Sequence, residues 1–149
     1  MSVATRSFLG ALLFATALSG CATTNESVKD VMLPLTVVRK IVMDNIPGGT
    51  KKQSMNGREI SGEYFNAQNL DEPSDTARER AKALIIILGS RRPYVLSVQV
   101  TREKKMKGSK KYEKFGEDRK LATQVVKRLK EALANRPADI NVIDDFRAF

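Results

Sequence analysis

Ala83-Leu84-Ile85-Ile86-Ile87-Leu88 is an unbroken apolar run of six residues, too short for a buried helix and rich in β-branched side chains. Consecutive apolar positions imply burial on both faces, so the run reads as a central β-strand. Just before it, Ala77-Arg78-Glu79-Arg80-Ala81 fits either a helical turn or the strand's own start. Gly89-Ser90-Arg91-Arg92-Pro93 then turns the chain. Over residues 94–102, Leu96, Val98 and Val100 alternate with Ser97, Gln99 and Thr101, the period of a strand with one face on a core.

Working outward, residues 104–111 read as a long hairpin tip around Gly108-Ser109, with a short returning strand over 112–115. Asp118 is placed to cap a helix whose apolar stripe is Leu121, Val125, Leu129 and either Ala132 or Leu133. Asn135-Arg136-Pro137 ends that helix. Beyond it, Ile140-Asn141-Val142-Ile143 fits an edge strand, and residues 144–149 form a tail with two phenylalanines.

On the other side, Asn56-Gly57 is the strongest local turn signal, joining strands over 50–55 and 58–65 through a type I′ hairpin. Gly62 inside the second strand points to a bulge. Leu35, Val38, Val42 and Ile46 recur at helical spacing between Pro34 and the stop Pro47-Gly48-Gly49, although the β-branched content also admits a strand. Asp71-Glu72-Pro73-Ser74-Asp75 reads as a polar connection. The order is helix, roughly four mainly antiparallel strands, then helix. Such a pattern predicts an α+β two-layer sandwich with two amphipathic helices on one sheet, spanning residues 33–143.

At the amino end, Arg6 precedes an uncharged run from Phe8 to Leu18, the size of a signal-peptide core and short of a bilayer span. Leu18-Ser19-Gly20-Cys21 follows directly. This resembles the lipobox of bacterial lipoproteins. The resemblance implies diacylglycerol on the Cys21 thiol, cleavage between Gly20 and Cys21, and acylation of the new amino terminus. Residues 1–20 are then a cleaved leader, and residues 21–32 hold the lipidated cysteine and a polar tether. Several acyl chains at about 0.8 kcal/mol per buried methylene make a stable anchor where one chain is marginal. Ala22, in place of Asp, leans towards the outer membrane with the domain facing the periplasm, if the source follows the enteric sorting rule.

The 149 residues carry 26 Lys plus Arg and 17 Asp plus Glu. Arg6 is the one charged side chain ahead of Cys21, so a chain starting at Cys21 keeps 25 basic and 17 acidic groups, a net +8. That sign suits anionic lipid, lipopolysaccharide, cell-wall polymer or acidic protein; nucleic acid is not expected for an exported protein. Histidine is absent and Cys21 is the single cysteine, which excludes an internal disulfide, Cys/His zinc clusters, and Ser-His-Asp or Cys-His catalysis. Neither a glycine-rich phosphate loop nor a nucleophile elbow is present.

The most suggestive cluster is Arg102, Lys104, Lys105, Lys107, Lys110 and Lys111, with Tyr112 and Phe115 following. Closely spaced cations edged by aromatic rings suit phosphate or carboxylate groups on a lipid or sugar. The same run also suits a water-facing hairpin tip, where lysine discourages edge pairing. Lys120, Lys127, Arg128 and Lys130 on the last helix, and Arg91-Arg92 at a turn, admit the same pair of readings. Asp71-Glu72 with Asp75, and Asp144-Asp145, fall in expected loops without apolar surroundings to raise a pKa, and Glu63 and Tyr64 sit on a strand. The expectation is a membrane-anchored binding or scaffolding protein of the cell envelope, non-enzymatic and without metal or cofactor. Its alternatives are a docking subunit of a larger envelope complex and a carboxylate-based hydrolase. In helix–sheet–helix order it is similar to small outer-membrane lipoproteins that assist lipid or lipopolysaccharide transport.

Overall fold

The computed structural model describes residues 25–74 and 77–135. Its elements are β1 (Glu26–Val31), α1 (Leu35–Asn45), β2 (Thr50–Gln53), β3 (Glu59–Asn66), β4 (Asn69–Pro73), β5 (Glu79–Leu88), β6 (Tyr94–Lys105), β7 (Tyr112–Glu117) and α2 (Arg119–Ala134). The strands form one antiparallel sheet in the order β1-β6-β5-β3-β2, with β4 added to β3 and β7 added to β6. The α+β class and the two helices on one sheet match the sequence reading. The leader, Cys21, residues 140–143 and the 144–149 tail lie outside the described residues.

Among the described residues seven strands stand where the sequence pointed to roughly four. Among the additions, β1 occupies part of the stretch read as tether, and β4 occupies the stretch read as a polar connection. Neither shows regular apolar alternation: β1 buries Val28 and Val31 in the core beside α2 but exposes Lys29 and Asp30 between them, and β4 is largely exposed at the margin of the sheet. β1 lies along the first half of β6, with Val28 opposite Leu96 and Val31 opposite Tyr94. The first element of the described residues is therefore a strand that starts at Glu26, ahead of the residue 33 from which the sequence reading counted the domain.

The central run also needs correction. β5 is flanked by β3 and β6, but Ala81, Ala83, Ile85 and Ile87 are buried while Lys82, Leu84 and Ile86 are half-buried. One face meets α1 and α2. Among the described residues the other is shielded by cross-strand neighbours, Ser61 and Gln99 beside Leu84, and Glu59 and Ser97 beside Ile86, and by no helix. A continuous apolar run thus marks a central strand here without a second covering layer among the described residues.

The helix reading of residues 34–46 holds. Val38 and Val42 are fully buried, Ile46 nearly so, and Gly48 and Gly49 take positive φ (75° and 80°) to end the element. In α2, the Asp118 carboxylate accepts from the Leu121 N–H at 2.9 Å, and Leu121, Val125 and Leu129 face the core while Leu133 packs at its margin. Asn56-Gly57 does sit in the β2–β3 connection, but not as a type I′ turn. Gly57 has φ +66° and Asn56 does not enter the left-handed region. Gly57 N–H donates to the Ser54 carbonyl, and the Asn56 side-chain oxygen accepts from Arg58 N–H, so the loop is longer than two residues. The bulge expected near Gly62 is present, with register shifts against both β2 and β5. A Cβ at Gly62 would stand 2.8 Å from the Pro47 carbonyl oxygen, so the α1 stop packs directly on the bulge.

The one-sided core makes a simple prediction for two neighbouring residues. Ile85→Ala should cost about 2–5 kcal/mol, the usual range for emptying a buried aliphatic site. Leu84→Ala, on the face without helices, should cost less than about 1.5 kcal/mol. Denaturant midpoints of the two variants measure the difference; equal losses would mean that both faces are packed.

Candidate functional site

β6 outlasts β1. Past Val98, its second half turns to β7, pairing Thr101 with Glu117 and Lys105 with Tyr112. The tip between them is closed by Met106 N–H to the Lys111 carbonyl at 2.9 Å and by Ser109 N–H to the Met106 carbonyl at 3.2 Å. Gly108 supplies the positive φ of 76° that this reversal requires. The hairpin tip read from the sequence is therefore in place.

Strand alternation divides the six basic residues expected there. Arg102 and Lys104 sit on the helix side of the sheet. The Arg102 guanidinium lies 2.5 Å from Asp118 and 3.8 Å from Glu79, and Lys104 Nζ lies 3.5 Å from the same Glu79. Both cations are matched by carboxylates of the fold, so they tie β6 to the start of β5 and the cap of α2. Lys105, Lys107, Lys110 and Lys111 are exposed and make no ion pair among the described residues. Two cations missed from the sequence join them. Arg78 is brought in by the Lys105 N–H to Arg78 carbonyl hydrogen bond at 2.9 Å, and Lys114 lies on β7 opposite Glu103. Alternation along the returning strand would have found Lys114; nothing local could have found Arg78. Arg78, Lys105, Lys107 and Lys114, with Lys104 and Glu113, border an open groove of about 520 Å³ whose walls include Met106 and Phe115, the latter 72% exposed; Lys110 and Lys111 stand outside it.

Beneath the hairpin, on the face without helices, four side chains interlock. The Arg80 guanidinium is sandwiched between the rings of Tyr64 and Tyr112, 3.7 and 3.8 Å from their centroids. Its Nε and Nη2 donate to Glu103 Oε2 at 2.8 and 2.6 Å, and the Tyr64 hydroxyl donates to Glu103 Oε1 at 3.0 Å. The Tyr112 hydroxyl donates to the Ala77 carbonyl at 2.8 Å. One residue each from β3, β5, β6 and β7 is thereby locked, which fixes the base of the hairpin. Arg80's charge is matched and both its faces are covered, so the stack positions the hairpin.

Tyr64 titrates above the ordinary tyrosine value of 10.0. Burial is the main cause, followed by its hydrogen bond to Glu103 and the Glu103 charge, with Arg80 and Lys51 pulling the other way. The stability contributed by the neutral phenol is therefore fully present below pH 10.0 and is lost as pH rises through the raised value.

The other sequence candidates are dispersed. Arg91 and Arg92 lie at the β5–β6 turn, the opposite end from the tip, where Arg92 Nη1 donates to the Met32 carbonyl at 3.4 Å. Glu63 pairs with Lys51 at 2.9 Å, Asp71 with Arg128 at 2.5 Å, and Lys127 with Glu131 at 3.9 Å. Lys120 and Lys130 are exposed on α2. Asp75 and Asp144-Asp145 lie outside the described residues, and among those described no group of three His, Cys, Asp or Glu side chains is gathered to hold a metal ion. No described helix is long and apolar enough to cross a membrane. No protein-family model matches the chain, and neither a curated protein nor a solved structure matches it.

Two outcomes test the stack. Arg80→Lys keeps the charge but loses the planar fork and both ring contacts, and should destabilise by about 1–3 kcal/mol in denaturant unfolding. Glu103→Gln removes the anion that holds the Tyr64 proton, so the Tyr64 pKa should fall. Ultraviolet difference titration, with Tyr64→Phe identifying the curve, reads that shift; an unmoved pKa would leave burial as its whole cause.

Proposed function

We propose that this protein is a lipid-anchored protein of the cell envelope whose β6–β7 hairpin binds anionic groups at a membrane surface. The observation that carries the binding role is the concentration of unpaired cations at one end of the sheet: Lys105, Lys107, Lys110 and Lys111, with Arg78 and Lys114 beside them. The lipobox-like Leu18-Ser19-Gly20-Cys21 supports the anchor, and Ala22 supports outer-membrane placement facing the periplasm. Each lysine near an anionic leaflet contributes about 1 kcal/mol, and several acting together give useful affinity without a shaped pocket. Met106 and Phe115, exposed among the lysines, supply apolar groups for the boundary between head groups and acyl chains. No chemical step is assigned to the protein; its role is to bind and to hold.

The binding role is tested with the mature chain carrying Cys21→Ser, so that lipid cannot supply the affinity. It should bind vesicles containing phosphatidylglycerol and ignore purely zwitterionic ones. Changing Lys105, Lys107, Lys110 and Lys111 to Gln removes about 4 kcal/mol at most and should weaken binding at least about tenfold. Lys104→Gln, whose charge is matched by Glu79, should change it less than about twofold. Raising salt from about 0.1 M to about 1 M shortens screening from about 10 Å to about 3 Å and should release the protein. Unchanged binding by the fourfold variant would remove the hairpin from the function.

A further inference from the structure

The place where the fold begins restricts how the domain can stand on a membrane. Asn25 is already fixed, its side-chain oxygen accepting from Gln99 Nε2 at 3.1 Å, and Glu26 is held by Arg119 at 2.8 Å. Cys21 precedes Asn25 by four residues. Whatever path those residues take, four steps of at most about 3.6 Å give a reach of no more than about 14 Å. A tether running to residue 32 would instead reach about 40 Å, similar to the length of β6 at about 3.4 Å per residue. With that longer link every surface could turn to the bilayer; with the short one the choice is narrow.

Strand direction narrows it further. β1 is antiparallel to β6, so its first residue faces the end of β6 where the hairpin lies. β7 continues along the same side of β6, and Gln99 is six residues from Lys105, about 20 Å along the strand. The root of the tether therefore stands beside the middle of β6, at the hairpin-facing end of β1 and on the margin that β7 extends, with the unpaired cations about 20 Å further along the strand. The β2–β3 loop, with Met55 fully exposed, is at the opposite end, since Glu59 pairs with Ile86 near the far end of β5.

We propose that the hairpin engages the anionic phospholipid head groups of the same leaflet that holds the Cys21 lipid, with the β2–β3 loop pointing away from it. This rests on the lipid-anchor reading above and adds an orientation and a choice of membrane to it. The short link keeps the lysines continuously at high effective concentration beside their own leaflet. Binding in this form resists salt better than binding by the untethered chain.

The test uses the lipidated chain, with lipid on Cys21 confirmed by mass, reconstituted in phosphatidylglycerol-containing vesicles that carry a bilayer-embedded quencher. Once Cys21 bears lipid, Met106→Cys and Met55→Cys each provide one free thiol for a fluorophore, at sites exposed enough not to disturb folding. The label at 106 should be quenched at least threefold more than the label at 55, and should remain so at about 0.5 M salt. Inserting roughly twenty Gly/Ser residues between Thr24 and Asn25, with a typical span of about 25 Å, should at least halve that salt-resistant quenching. Equal quenching at the two sites, stronger quenching at 55, or indifference to the insert would overturn the orientation. Failure of the hairpin's own affinity shows separately, as loss of vesicle binding by the Cys21→Ser chain, and an unlipidated Cys21 would overturn anchor and orientation together.

Discussion

Ten consecutive pairs, from Glu79 opposite Lys104 to Leu88 opposite Val95, join β5 to β6 without a register shift. Because successive side chains in a strand point to opposite faces, that unbroken ladder assigns every residue of both strands to one side or the other. Ala81, Ala83, Ile85 and Ile87 go to the helices together with Leu96, Val98 and Val100. Arg80, Lys82, Leu84 and Ile86 go to the other face, opposite Glu103, Thr101, Gln99 and Ser97. A slip of one residue would expose the whole core set, so the ladder is the constraint under which the rest of the molecule is arranged. Irregularity is confined to other pairings: the bulge at Gly62, the shift between Phe65 and Asn66 against β4, the one between Val28 and Val31, and the one between Arg102 and Glu103 against β7.

The same parity sorts the charges. Arg102 and Lys104 take the helix side and meet Glu79 and Asp118; Glu103 takes the open side and meets Arg80. Asp118 also caps α2, so one carboxylate both accepts the Leu121 N–H and lies against Arg102. A cation matched in this way contributes to the register of the fold. The lysines beyond the ladder have no such partners among the described residues, and their mutual repulsion is tolerable because they are exposed, where solvent and salt screen it.

Much of the fold was legible in local pattern, and what was not depended on distant partners. Val38 with Val42, and Leu121 with Val125 and Leu129, announced both helices, since an amphipathic stripe is a local signal. Asn56-Gly57 and Gly108 marked turns for the same reason, although Asn56 did not adopt the backbone its dipeptide favours. β1 and β4 were hidden because Glu26, Lys29, Asp71 and Glu72 make those segments look like solvated linkers, while what holds them is distant: pairing with β6 and β3 and, for β1, the burial of Val28 and Val31 in the core. The cationic run was visible, but its division was not. Glu79 lies more than twenty residues before Arg102, and the choice between paired and unpaired lysines is set by which face each residue occupies. Arg78 and the Arg80–Glu103 contact were invisible for the same reason.

Two demands meet in the hairpin. β7 closes one margin of the sheet, and a strand at a margin needs charge to discourage pairing with other chains, which Lys110, Lys111 and Lys114 provide. That demand alone explains lysine but not Phe115 and Met106, which stand exposed among the charges and increase the risk of association in water. Cations interleaved with exposed apolar groups suit a boundary between polar head groups and hydrocarbon, where each kind of side chain finds its own depth. On the proposed function the Arg80 stack has a mechanical reason. A tip that presses on a surface needs a base that does not yield, and four strands locked through one guanidinium, two phenol rings and one carboxylate supply it.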